Sequence, residues 1–157
     1  MKTILTAGVA LAIAAVAAPA MAAPYAAGGI TPKEAVAALK AEGLPSEIVK
    51  DGDSTSIKSN SGGINWRIYF YGCKNDRCSS IQFSAGFDLD DGIGFKKANE
   101  WNYTKRFARA ALDDEMDPFV RYDIDTESGF TTEAMALGIQ TWKLILPTFA
   151  DFIGYEP

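Results

Sequence analysis

Between Ile64 and Phe87 the chain reads INWRIYFYGC, then KNDR, then CSSIQFSAGF. Ile64, Trp66, Ile68 and Phe70 alternate with Asn65, Arg67, Tyr69 and Tyr71, and Ile81, Phe83, Ala85 and Phe87 alternate in the same way. Period-two alternation rich in aromatic and β-branched side chains is the pattern of a half-buried strand. Folding the two runs about Lys74–Arg77 sets Cys73 opposite Cys78. The same register sets Phe70 against Ile81, Ile68 against Phe83, Trp66 against Ala85 and Ile64 against Phe87. A slip of one residue would part the cysteines and turn the apolar set to the other face. The expectation is a β-hairpin with a four-residue loop.

The start of the chain carries an address. Lys2 is followed by an apolar, Ala-rich run from Ile4 to Ala18 and by Ala20-Met21-Ala22. Together they have the three parts of a secretory signal peptide, residues 1–22, with the mature chain starting at Ala23. The run is too short and Ala-rich for a good bilayer span, so no stable membrane insertion is expected. The expected location is periplasmic or secreted. About 135 residues remain, enough for one domain with its own core. In an oxidising compartment, two cysteines facing each other across a hairpin form a disulfide, Cys73–Cys78. Their C-x4-C spacing is not the C-x-x-C of a redox site. Closing so short a loop contributes about 2 kcal/mol on the loop-entropy model, so the bridge mainly pins the register.

Composition narrows the chemistry. Lys and Arg number 15 against 20 Asp and Glu, for a net charge of −5, and there is no histidine. Without a basic run, neither nucleic acid nor an anionic membrane is an expected partner. Without histidine, Ser-His-Asp and Cys-His catalysis and histidine metal sites are excluded.

The remaining elements follow from caps and periodicity. Ala23–Gly29 reads as a flexible lead-in. Thr31, Pro32 and Glu34 form a capping box that opens a helix with Ala35, Val36, Ala38 and Leu39 on its buried face and Gly43 at its end. Glu47–Lys50 and Ser54–Asn60 read as strands around an Asp51-Gly52-Asp53 turn, completing an antiparallel meander with the hairpin. Phe95–Trp101 reads as a short helix. Lys105–Leu112 has helix-forming composition, yet pairing it with Phe119–Asp125 in a second hairpin would satisfy that strand's backbone, and propensity leaves both open. Met135, Ile139, Trp142, Leu146, Phe149 and Ile153 mark a long amphipathic C-terminal helix interrupted by Pro147.

Several of these stretches resemble the YbjN-domain family, bacterial proteins described as sensory transduction regulators. The resemblance spans about Thr31 to Phe152. It rests on Ile68-Tyr69-Phe70-Tyr71-Gly72-Cys73 with Cys78, on Asn99-Glu100-Trp101-Asn102, and on Arg106-Phe107 with Ala111-Leu112-Asp113. The strand ending Tyr122-Asp123-Ile124 completes it. It implies one YbjN-like domain over 30–154. The implied fold is α+β, like type III secretion chaperones: an antiparallel sheet, meander plus second hairpin, with flanking helices. It also tips Lys105–Leu112 towards strand. Family turns after that strand often read Asp-x-Asp-Gly-Asp, and this chain has Met116 in place of the glycine.

Candidate sites are few. Asp88, Asp90 and Asp91 lack the distal glutamate of a calcium loop, and both they and Asp113, Asp114, Glu115 and Asp117 read as solvated acidic turns. No catalytic residue, metal or cofactor is assigned. Trp101-Asn102 reads most simply as a core tryptophan followed by a helix-capping asparagine, and alternatively as a partner-binding spot. Arg67, Tyr69 and Tyr71 lie opposite the apolar stripe. They are either a second layer of packing under a helix or a partner-binding surface, since aromatics with arginine are enriched at interface hot spots. Two function classes remain. One is an exported non-enzymatic binding module, regulatory or chaperone-like, with a protein partner of unknown identity or, by fold analogy, a second copy in a homodimer. The other is a secreted carboxylate-dependent hydrolase or an inhibitor-like protein. A broad exposed apolar patch would support the first and a deep polar pocket of convergent carboxylates the second. Intact mass of the exported protein is expected to begin at Ala23; a mass that retains Met1–Ala22 would show an N-terminal anchor instead.

Overall fold

Caps and alternation resolve into nine elements in a computed structural model that describes residues 23–157. The export signal expected over residues 1–22 lies outside the described residues. In chain order they are α1 Pro32–Ala41, β1 Glu47–Asp51, β2 Ser54–Ser61, β3 Ile64–Lys74, β4 Arg77–Gly86, α2 Phe95–Thr104, β5 Arg109–Leu112, β6 Pro118–Asp125 and α3 Thr132–Ile153. The strands form one six-stranded antiparallel sheet in the order β1-β2-β3-β4-β6-β5. The fold is α+β, as expected.

The central hairpin keeps its expected register from Arg67↔Ser84 through Ile68↔Phe83 and Phe70↔Ile81 to Cys73↔Cys78, and the cysteines are bonded. Its loop is tighter than expected. Lys74 pairs with Arg77, leaving Asn75 and Asp76 alone in the turn at φ 49° and 63°. Asn and Asp tolerate this left-handed region, and two such residues make the turn whose twist suits a hairpin. At the far end, Phe87 does not continue the ladder against Ile64. Its N–H donates to the Pro118 carbonyl at 3.0 Å instead, where β6 begins.

The segment expected as a flexible lead-in carries contacts of its own. Tyr25 donates its N–H to the Phe130 carbonyl and stacks on the Phe130 ring at 5.7 Å. Ile30 and Cys78 exchange backbone hydrogen bonds of 3.2 and 3.0 Å. This approach needs a glycine at Gly29, where φ is +103° and an added Cβ would overlap the Cys78 carbonyl. The expected capping box is present: Glu34 N–H donates to Thr31 Oγ1 and Thr31 N–H donates to Glu34 Oε2. Arg77 then reaches Glu34 with both guanidinium ends, at 3.2 and 2.9 Å, tying α1 to the hairpin turn. Burial raises the Glu34 carboxyl, but the bonds from Arg77 and Thr31 more than reverse this and hold it below its ordinary value. A lowered value means that the tie stands at neutral pH and is lost as acid carries the solution down through that value.

The stretch that propensity left open divides. Lys105 is the C-cap of α2, and Arg109–Leu112 is β5, paired with Pro118–Arg121. Between β5 and β6 the turn places Met116 at φ 67°, in the left-handed region that favours glycine. β6 does not pair with β5 alone; its other edge pairs with β4 from Gly86↔Phe119 to Ser80↔Asp125.

All three helices among the described residues pack on one side of the sheet, with Ile57, Trp66, Ile68, Ile81, Phe83 and Val120 beneath them. The 22-residue α3 is the main cover and continues through Pro147, which faces solvent where water can serve the freed carbonyl. Trp142 is fully buried between Trp66, at 5.8 Å, and Phe83, at 5.6 Å, and its indole N–H has no hydrogen-bond partner. Trp142→Ala should therefore destabilise by about 3 kcal/mol or more in denaturant unfolding. Trp142→Phe keeps a ring, removes the orphaned donor and should cost clearly less. A loss below about 0.5 kcal/mol for the alanine variant would refute this packing.

Candidate functional site

Among the described residues the helices all lie on one face, and the other face of the sheet is left open. Alternation along β3 sends Ile64, Trp66 and Ile68 into the core and Arg67, Tyr69 and Tyr71 outward. Tyr69 is 38 % exposed and Tyr71 48 %. No described residue forms a second layer over them, so the packing alternative does not hold for this trio. Their cross-strand partners on β4 are Ser84, Gln82 and Ser80. Beyond β4 the register continues to Arg121, Asp123 and Asp125 on β6.

This floor is polar and already ordered. Ser56, Gln82 and Ser84 are buried although they belong to the outer face, because longer neighbours lie over them. Arg67 Nη1 donates to Ser56 Oγ at 3.1 Å. Gln82 Nε2 donates to Asp123 Oδ1 at 2.7 Å, and the other Asp123 oxygen accepts from Arg109. A shallow cavity of about 440 Å³ opens here, lined by Lys58, Asn65, Arg67, Tyr69, Ser84 and Phe119. Arg67 and Tyr69 thus share one concavity. Tyr71 sits beside a second depression of about 580 Å³, with Tyr69 between the two. The arrangement offers cationic, hydroxyl and aromatic groups for recognition.

Trp101 and Asn102 are elsewhere and are otherwise employed. Trp101 is 1 % exposed, edge-on to Phe149 at 4.8 Å and tilted against Phe152 at 5.4 Å, so it presents no surface to a partner. Its Nε1–H donates to the Ala108 carbonyl at 3.1 Å. Asn102 does not cap α2, which runs on to Thr104. Its Oδ1 accepts from the Ala110 N–H at 2.7 Å, and its Nδ2 donates to the Ala110 carbonyl at 3.2 Å. Ala110 stands on the outermost strand, and the asparagine amide matches the donor and acceptor that a further strand would have supplied. The Trp-Asn pair is a clamp that docks α2 on the sheet edge. The sequence singled the pair out as a core tryptophan beside an asparagine, but the clamp depends on β5 lying alongside α2.

The acidic turns meet at one end of the sheet. Asp113 Oδ1 accepts from the N–H groups of Glu115 and Asp117, and Asp117 Oδ1 accepts from Leu89 N–H. These carboxylates hold loop backbone in place.

A family model, YbjN, described as a putative bacterial sensory transduction regulator, matches residues 32–154. No curated protein matches the chain.

Replacing Asn102 by Leu removes both bonds to Ala110 and leaves an open strand edge. The expected loss is about 1–3 kcal/mol, with faster amide exchange at Ala110 measured by hydrogen–deuterium exchange. Unchanged protection at Ala110 would refute the clamp.

Proposed function

Because the chain belongs to the YbjN family, we propose that it is an exported, non-enzymatic binding module, regulatory or chaperone-like, that holds another protein against the open face of its sheet. The family description supplies the regulatory character. The observation that carries the reading is the face itself: Arg67, Tyr69 and Tyr71 project from a rigid central strand with all the helices behind it. Large aromatic side chains beside an arginine, on a floor ordered by bonds such as Gln82 to Asp123, provide contact area at little entropic cost. Residues 1–22 serve as the export signal, and the Cys73–Cys78 bridge suits an oxidising compartment.

The hydrolase alternative would require paired carboxylates converging on a cleft. Asp113 instead serves the backbone of its own turn, and Asp117 that of the neighbouring turn at Leu89. A photo-crosslinking residue at Tyr69 or Tyr71, in cells that export the protein, should capture one reproducible partner, whereas the same residue at Lys33 on α1 should not. Equal capture from both positions, or turnover of a small substrate that an Asp113→Asn variant abolishes, would overturn the proposal.

A further inference from the structure

The register draws a line of charge across the open face. Glu47↔Lys58, Lys58↔Arg67, Arg67↔Ser84, Ser84↔Arg121 and Arg121↔Arg109 are successive cross-strand partners, one on each of the six strands. Four of the six are cations, in a chain whose carboxylates outnumber its cations 20 to 15. Arg109 is answered by Asp123. Arg67 and Arg121, half-buried on either side of Ser84, have no carboxylate partner among the described residues. Arg121 lies over the Phe119 ring at 5.3 Å, and its Nε is buried with nothing to accept its proton. Like charges gathered on one face repel, and a charged donor buried without an acceptor is costly. A carboxylate arriving from outside would relieve the first by meeting the guanidinium groups of the row.

The shape says what kind of carboxylate. Lys58 and Arg67 line the cavity of about 440 Å³, and Arg121 lies beyond its rim. Arg67 and Arg121 stand two strands apart, about 10 Å. An extended chain spans that distance in three residues. Between the two cationic stations, the Phe119 ring rests against Gly86, where an added Cβ would meet it at 2.5 Å. With Tyr69 on the other side, this gives the intervening residues an aromatic wall. Building on the protein-binding reading of this face, we infer that the row recognises an extended acidic segment of the partner protein. Two of its carboxylates, about three residues apart, engage Arg67 with Lys58 and Arg121, and small apolar residues lie between them.

The test uses labelled peptides of about twelve residues and fluorescence anisotropy on the mature protein. One peptide has Glu at every third position with Ala and Val between, and its control has Gln for every Glu. The acidic peptide should bind, weaken as salt rises and exceed the Gln peptide by about tenfold or more. Arg67→Gln and Arg121→Gln should each lower its affinity by about tenfold, Arg121→Lys should restore part of it, and Lys96→Gln on α2 should change nothing. Thermal unfolding of each variant separates lost binding from lost fold. Equal binding of both peptides, indifference to both arginine variants, or complete competition by millimolar inorganic phosphate would overturn the inference. Self-association that disappears in Arg67→Gln would also overturn it, assigning the row to the acidic turns of a second copy. If the acidic peptide fails while crosslinking at Tyr69 still captures a partner, the acidic preference falls and the protein-binding reading stands.

Discussion

The backbone of Cys78 is the tie on which the arrangement depends. Its sulfur is bonded to Cys73, and its N–H donates to the Ile30 carbonyl. Its carbonyl accepts from the Ile30 N–H and, at 2.6 Å, from the buried Thr126 hydroxyl. One residue therefore joins the two central strands, the segment leading into α1 and the end of β6. In an antiparallel pair, directly opposed residues alternate between exchanging backbone bonds and facing one another without them. Cys78 is of the second kind towards Cys73, which frees its backbone groups to serve Ile30. The covalent link and the hydrogen bonds thus satisfy different needs of one residue and do not compete.

Everything lateral follows from that register. Once Cys73 faces Cys78, Ile68 and Phe83 must share the inner face, and Arg67 and Ser84 the outer one. The hydrophobic layer under α3 and the charged line on the open side are therefore two readings of the same pairing. A slip that spoiled one would spoil the other. The helices cover the face that carries the continuous aliphatic and aromatic layer, and the floor of the other is held by short polar bonds such as Gln82 to Asp123.

Much of this was legible in the chain because its signals are local. The hairpin register, the capping box at Thr31 and Glu34, and the apolar stripe of α3 need only neighbours within a turn or a strand pair. What escaped was non-local or subtle. The hairpin loop shrank to Asn75 and Asp76 because both accept positive φ, which composition permits without requiring. Asn102 looked like a cap because α2 seemed to stop at Trp101; its true bonds depend on a strand eight residues on. The outer row became visible only when β6 inserted beside β4, bringing Arg121 next to Ser84 from 37 positions away. Of the candidate surface residues, Arg67, Tyr69 and Tyr71 could be placed from alternation alone. Whether a helix would cover them could not, because that depends on which side α3 returns to.

The Asn102 clamp leaves the sheet asymmetric at its two margins. The β5 margin has its Ala110 groups occupied, whereas β1 is the last strand on its side among the described residues. Strand-by-strand polymerisation needs two open margins per molecule, as a bead needs two holes to be strung. With Asn102 blocking the middle of the β5 margin, pairing through β1 joins two molecules and finds no ready continuation. At high concentration, a half-open sheet of this kind acts as a chain terminator, so that pairing at one margin does not propagate into a fibre.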